Sequence, residues 1–156
     1  MRKKIFSPEE LLLEIGRVRK NKKIVFTNGC FDILHRGHTD YLNKAKELGD
    51  FLIVALNSDD SVKRLKGEKR PLNFLDDRMA VISALESVDF VTYFEEDTPL
   101  SLIVLLKPDL LVKGGDWTPD SIVGAKEAAL WGGSVGTIPF VEGKSTTAIM
   151  EKIRKK

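Results

Sequence analysis

A single cysteine, Cys30, in 156 residues excludes an internal disulfide and fits a reducing compartment. Long apolar runs are missing as well. The longest stretches, such as FLIVAL at 51–56, fall far short of the roughly 20 residues that span a bilayer. The opening MRKKIFSPEELLLEI is basic but soon turns acidic and amphipathic, unlike the apolar core of a signal peptide, so a cytoplasmic location is expected. Net charge is also small. The 25 Lys and Arg against 23 Asp and Glu leave +2, which demands neither a nucleic acid nor a membrane as partner. Basic residues nonetheless cluster at 63–70 and at both ends. Arg2–Lys4 and Arg154–Lys156 read as solvated surface, while the internal cluster leaves local anion binding open. Only two histidines occur, His35 and His38, and both fall in one short turn.

What is present is an alternation of strand and helix signals. SPEELLLEIGRVRKN opens with Ser7 as N-cap, Pro8 at the first helical position and Glu10 closing a capping box, which predicts a helix over 8–20. KIVFTN, FLIVAL, DFVTYF, DLLV and SVGTIP are short runs rich in Val, Ile and Phe, and several are apolar on both faces. They read as buried parallel strands. Amphipathic stretches at 38–48, 76–86, 99–106 and 119–131 lie between them. The expectation is one α/β domain over 1–156, with a Rossmann-like, doubly wound parallel sheet of five strands and flanking helices. The charged segment 63–77, with Gly67 and Pro71, reads as an irregular, mobile loop.

In an open parallel sheet, ligands bind beyond the carboxyl ends of the strands. The first strand ends at Thr27-Asn28, directly before the rest of FTNGCFDILHRGHTDYL. Gly29 lets backbone approach a ligand, and Gly37 leaves space beside the first turn of the next helix. Exposed amides at that helix start, with its dipole, favour a phosphate. His35 and His38, three apart, share one side of the turn, so two donors converge on one anionic group. The pair also reads as two metal ligands, but no cysteine or third histidine completes a zinc site, carboxylates aside, and no metal site is assigned. A purely structural pair is the remaining alternative, against which the surrounding glycines speak. Cys30 reads as small apolar packing rather than a nucleophile, and Asp32 as a cap or a holder of the loop.

NGCFDILHRGHTDYLNKA resembles the G-x-F-D-x-x-H-x-G-H signature of the cytidylyltransferase-like nucleotidyltransferases, and the likeness extends over nearly the whole chain. EGKSTTAIMEKI at 142–153 resembles that family's Ser/Thr-rich turn opening the last helix; alone it reads as an ordinary N-cap. The resemblance implies attack by a substrate phosphate on the α-phosphorus of a nucleoside triphosphate, with pyrophosphate leaving. It implies small-molecule substrates, Mg2+ and a homodimer. It further implies catalytic roles for His35, His38 and Lys66. The nucleotide pocket would draw on Thr27, Asn28, Gly29, Phe31, Gly37, Gly114, Asp116, Gly143, Ser145, Thr146 and Thr147, and acceptor contacts on Asn57, Arg70 and Lys113. NSDDSVKRLKGEKRPLN, LLVKGGDW and EGKSTT together resemble the branch that adenylates D-glycero-β-D-manno-heptose 1-phosphate with ATP, a step in lipopolysaccharide core assembly. Glycerol-3-phosphate cytidylyltransferases are similar too, but they differ at 113–117 and carry an arginine-bearing turn where this chain has VEGKST. Two readings from other classes are a non-catalytic nucleotide-binding module on the same fold and a fragment related to class I aminoacyl-tRNA synthetases. The presence of both histidines argues against the first; near-neutral charge and KSTT argue against the second.

Overall fold

The computed structural model describes residues 2–156. Ser7 caps α1 (Pro8–Val18): its hydroxyl accepts the Glu10 amide at 3.2 Å, and the Glu10 carboxylate accepts the Ser7 amide at 3.0 Å. The apolar runs become β1 (Ile24–Gly29), β2 (Phe51–Asn57), β3 (Phe90–Phe94), β4 (Leu110–Gly114) and β5 (Ser134–Ile138). Every pairing is parallel, in the order β3-β2-β1-β4-β5. The connections hold α2 (Arg36–Lys46), α3 (Asp59–Lys66), α4 (Leu75–Ser83), α5 (Leu100–Leu106) and α6 (Ala125–Ala129), and α7 (Thr146–Arg154) follows β5. The fold is α/β, Rossmann-like and doubly wound.

Successive strand residues point to opposite faces, and each face carries its own core. Val25, Leu52, Val54, Leu110 and Val112 pack with Leu42 and Ala45 of α2 and with Met79 and Ile82 of α4. Ile24, Phe26, Ile53, Phe90 and Leu111 pack with Leu11 and Ile15 of α1, with Leu102 and Ile103 of α5 and with Ala128 of α6. Burial on both faces explains why the strands read as unbroken apolar runs. Strand order reverses between β1 and β4, and their carboxyl ends open a crevice.

Two expectations are corrected. The helix expected over 119–131 is a single 3-10 turn at Pro119–Ser121 followed by α6, separated by Gly124. Gly124 has φ +88°, and a Cβ there would meet Ile103 and Leu111 at 3.0–3.1 Å, so a continuous helix cannot form. The loop expected over 63–77 is helical at both ends: α3 runs to Lys66, and α4 begins at Leu75. The Ser58 hydroxyl accepts the Ser61 amide, and Asp59 and Asp60 suit the positive end of α3. Gly67, at φ +97°, ends it.

Candidate functional site

Beyond β1 the chain turns through Phe31 and enters α2 with His35 as N-cap and His38 in the first turn. The two imidazoles stack, with centroids 3.9 Å apart and planes 25° apart. Each accepts a backbone hydrogen at Nδ1: the Gly37 amide donates to His35 at 3.1 Å, and the His35 amide to His38 at 3.4 Å. A neutral imidazole accepting at Nδ1 carries its proton on Nε2. Burial, then the neighbouring His35 and Lys66, pushes the pKa of His38 down to about 4; burial and Lys144 lower that of His35. At neutral pH both rings are therefore uncharged Nε2–H donors.

The two glycines also serve the protein's own packing. A Cβ on Gly29 would lie 2.9 Å from the Phe31 ring, and one on Gly37 would lie 2.9 Å from the His35 ring. Bare backbone makes room for the protein's own aromatic rings. Nor does the start of α2 offer all its amides to a phosphate: Gly37 donates to His35 Nδ1, and His38 donates to the His35 carbonyl at 2.9 Å. The imidazoles stand in their place.

Amides of that kind occur instead at α7. Ser145 caps it, accepting the Ala148 amide at 3.0 Å, and the Thr146 hydroxyl donates to the Ile33 carbonyl at 3.3 Å, tying α7 to the histidine loop. The Thr146 and Thr147 amides have no partner among the described residues and lie at the positive end of the helix. Between the two turns lies a cavity of about 620 Å³. It is lined by His35, His38, Asn28, Gly29, Phe31, Gly37, Lys66, Arg70, Lys113, Gly114, Gly143, Ser145, Thr146 and Thr147.

Of the expected residues, three lie elsewhere. Thr27 is fully buried below the cavity, 2.6 Å from the Tyr41 hydroxyl, which donates onward to the Val112 carbonyl at 3.1 Å. Burial pushes the Tyr41 pKa up to about 12, so it stays a neutral strut. Asp116 is exposed and lines neither this cavity nor a smaller one of about 330 Å³, which takes Asn57. The two cavities share Asn28, Gly29, Cys30, Lys66 and Lys113. Lys113 is half-buried, its pKa lowered by burial, with no carboxylate in salt-bridge range among the described residues. Cys30 carries a thiol whose pKa burial raises, which removes thiolate character. Among the described residues no group of three or more His, Cys, Asp or Glu is placed to hold a metal ion.

Two side chains hold the loops around the cavity. The buried Asp32 carboxylate accepts Arg70 Nε at 2.6 Å, the Leu72 amide at 2.9 Å and the Asn73 amide at 2.8 Å. Burial by itself would raise its pKa, but these donors outweigh that and hold it below the usual carboxylate range. Arg78, 2% exposed, went unnoticed in the sequence. It donates to the Cys30 and Asn57 carbonyls and to Asp59, each at 2.8 Å, joining the ends of β1 and β2 to α3. The signal was there: Arg78 stands in the apolar stripe that Leu75, Met79 and Ile82 form on α4. Phe140 was also missed. It is 75% exposed, and its ring lies on bare backbone, 2.8 and 2.6 Å from where Gly114 and Gly115 would carry a Cβ.

Paired neutral donors facing an open helix N-terminus across a strand-end crevice make a site for a polyphosphate. Residues 26–152 match the family model described as cytidylyltransferase-like, and the chain belongs to that family. The bifunctional protein HldE of Marinomonas sp. (strain MWYL1) is 57% identical over 149 residues, covering 95% of this chain and 31% of that protein. HldE of Haemophilus influenzae (strain PittEE) is 56% identical over 151 residues, covering 96% and 32%. The chain thus spans about a third of the length of the curated relatives it matches. A lipopolysaccharide core biosynthesis protein from Thermoplasma volcanium GSS1 superposes with TM-score 0.63 at 30% identity, over 80% of this chain and all of that one. Pantoate-beta-alanine ligase from Francisella tularensis, at 16% identity and TM-score 0.63 over 99% of this chain and 79% of its own, shares the fold.

Proposed function

We propose that the chain is an adenylyltransferase that moves AMP from ATP to D-glycero-β-D-manno-heptose 1-phosphate, giving ADP-heptose and pyrophosphate. The observation that carries it is the stacked pair of neutral Nε2–H donors across the cavity from the open amides of α7. The heptose assignment draws support from the names of the relatives and from the KGGDW and EGKSTT segments.

An oxygen of the acceptor phosphate attacks the α-phosphorus. The new P–O bond forms as the bond to the β-bridging oxygen breaks, and its electron pair leaves with pyrophosphate. The nucleophile is already anionic, so no residue has to take a proton. His35 and His38 donate to the α-phosphoryl oxygens as charge builds there, and the Thr146 and Thr147 amides hold the departing phosphates. Lys66, Arg70 and Lys144 line the same cavity and neutralise the triphosphate. Mg2+ would enter on the triphosphate's own oxygens, where it adds neutralising charge; Glu142 is the lining carboxylate without a partner among the described residues, since Asp32 is saturated. The adenine face would lie on the exposed Phe140 ring. A cytoplasmic setting and a homodimer belong to the same proposal; no helix among the described residues is long and apolar enough to cross a membrane. The test is pyrophosphate release over four nucleoside triphosphates and a panel of sugar and polyol phosphates. Release with ATP and heptose 1-phosphate supports the proposal, and its absence rejects it.

A further inference from the structure

Away from the strand ends the two cavities extend toward opposite faces of the sheet. Leu110 and Val112 belong to the core under α2 and α4, and Leu111 to the core under α1, α5 and α6. By strand alternation Gly114 faces the first side and Lys113 the second. In β1, Val25 and Phe26 divide the same way, so Gly29 faces the histidine side and Asn28 the other. The larger cavity accordingly takes Gly114 and Tyr41, and the smaller one takes Phe26, Leu111 and Ile103. They meet at the carboxyl ends of β1 and β4, where Asn28, Gly29, Cys30 and Lys113 line both, joined by Lys66 from the end of α3, and the smaller one also reaches Val112.

The smaller cavity has a chemistry of its own. Its floor is apolar, and its rim carries Asp97, Thr98, Ser121 and Trp117. The Trp117 indole N–H donates to the Gly114 carbonyl at 2.9 Å, which fixes the ring, yet the residue stays 45% exposed. Lys113 Nζ lies 5.8 Å from the centre of that ring. Asp97 uses one carboxylate oxygen on Arg64 at 2.7 Å, and the other has no partner among the described residues. A rim carboxylate repels a polyphosphate but accepts hydroxyl hydrogens. A fixed aromatic face over an apolar floor suits the C–H face of a sugar.

We propose that the smaller cavity binds the polyhydroxylated carbon skeleton of the acceptor, with the acceptor phosphate between Lys66 and Lys113 and the nucleotide on the opposite face of the sheet. This rests on the adenylyltransferase reading. It adds Trp117, Asp97 and Thr98 as acceptor-specificity residues, and it explains the half-buried Lys113: the cation waits for an anion at the junction. The acceptor then meets the α-phosphorus from the side away from α7, where pyrophosphate leaves, as in-line displacement requires.

The test uses Val123→Trp, an exposed rim position whose new side chain fills the cavity, and Trp117→Leu. Each variant raises KM for heptose 1-phosphate at least ~10-fold, about 1.4 kcal/mol, while the ATP dissociation constant stays within about 2-fold. Unchanged acceptor KM in both variants, or an equal loss of ATP affinity, overturns the proposal. Saturation-transfer NMR with heptose 1-phosphate reads the cavity independently of turnover. Wild-type chain that turns over no sugar phosphate overturns the adenylyltransferase reading; sugar-phosphate binding that survives Val123→Trp overturns the cavity assignment.

Discussion

Replacing Asp32 by Asn removes charge without changing shape, at a side chain that the fold has sealed completely. Asn keeps one acceptor oxygen and turns an NH2 toward donors. With that oxygen at Oδ1 Arg70 loses its acceptor, and with it at Oδ2 the Asn73 amide does, while the Leu72 amide, which reaches both positions at 2.9 Å, keeps one. A buried donor left unsatisfied costs roughly 1–3 kcal/mol, and removing one partner of a buried ion pair costs roughly 3–5. The two overlap at one carboxylate, so the expected loss is about 3–5 kcal/mol, against a total of roughly 5–15 for a domain. Urea unfolding at pH 7 measures it. The sign with pH follows from the depressed folded pKa. The contribution is full above the unfolded carboxylate value of about 3.9 and is lost as pH falls through the folded one, so the gap between wild type and variant closes in acid. A loss below about 1 kcal/mol at pH 7, or a gap that does not close, would refute the idea that Asp32 anchors 70–73.

His35→Ala and His38→Ala each lower kcat at least ~10²-fold in pyrophosphate release, the effect of losing one oxyanion-type donor, while circular dichroism keeps the native signal; near-normal rates in both would remove the histidines from the chemistry. Phe140→Ala raises KM for ATP about 5- to 150-fold, from roughly 1–3 kcal/mol of base stacking, and leaves KM for the acceptor alone. An unchanged KM for ATP would take the base off that ring. His38 has a folded pKa near 4 against 6.5, so the fold favours its neutral form; that contribution is complete above pH 6.5 and is lost as pH falls toward 4. Urea midpoints of wild type therefore drop more steeply across that window than those of His38→Gln, and parallel curves would contradict it.

Features set by neighbours in sequence were legible. The Ser7 capping box and the His35–His38 turn depend on contacts within a few residues, the five apolar runs show their burial on both faces in composition alone, and each formed where its pattern placed it. Gly29 and Gly37 stand out in the turn, but spacing does not reveal that Phe31 and His35 also fold their rings back onto them. The helix α3 was hidden by its charge, although Ser58 with Asp59 and Asp60 behind it is an N-terminal signal. The partners of Arg78, though not its place in the apolar stripe, and the smaller cavity were out of reach for a different reason. Their residues come from separate crossovers, Cys30 with Asn57 and Asn73, and Asp97 with Trp117 and Val123, and only the strand order β3-β2-β1-β4-β5 brings them together.

The central claim, adenylyl transfer onto a sugar phosphate, is tested most directly by competition. Heptose 1-phosphate and glycerol 3-phosphate are offered at equal concentration with ATP and again with CTP, and the products are resolved by 31P NMR. A site that hydrogen-bonds several hydroxyls penalises an acceptor lacking them by roughly 1–3 kcal/mol for each buried group left unpaired, so two such losses give discrimination on the order of 10². ADP-heptose should dominate with ATP, and little product of either kind should form with CTP. Preferential formation of CDP-glycerol would contradict the account at its centre while leaving the fold and the histidine pair as described.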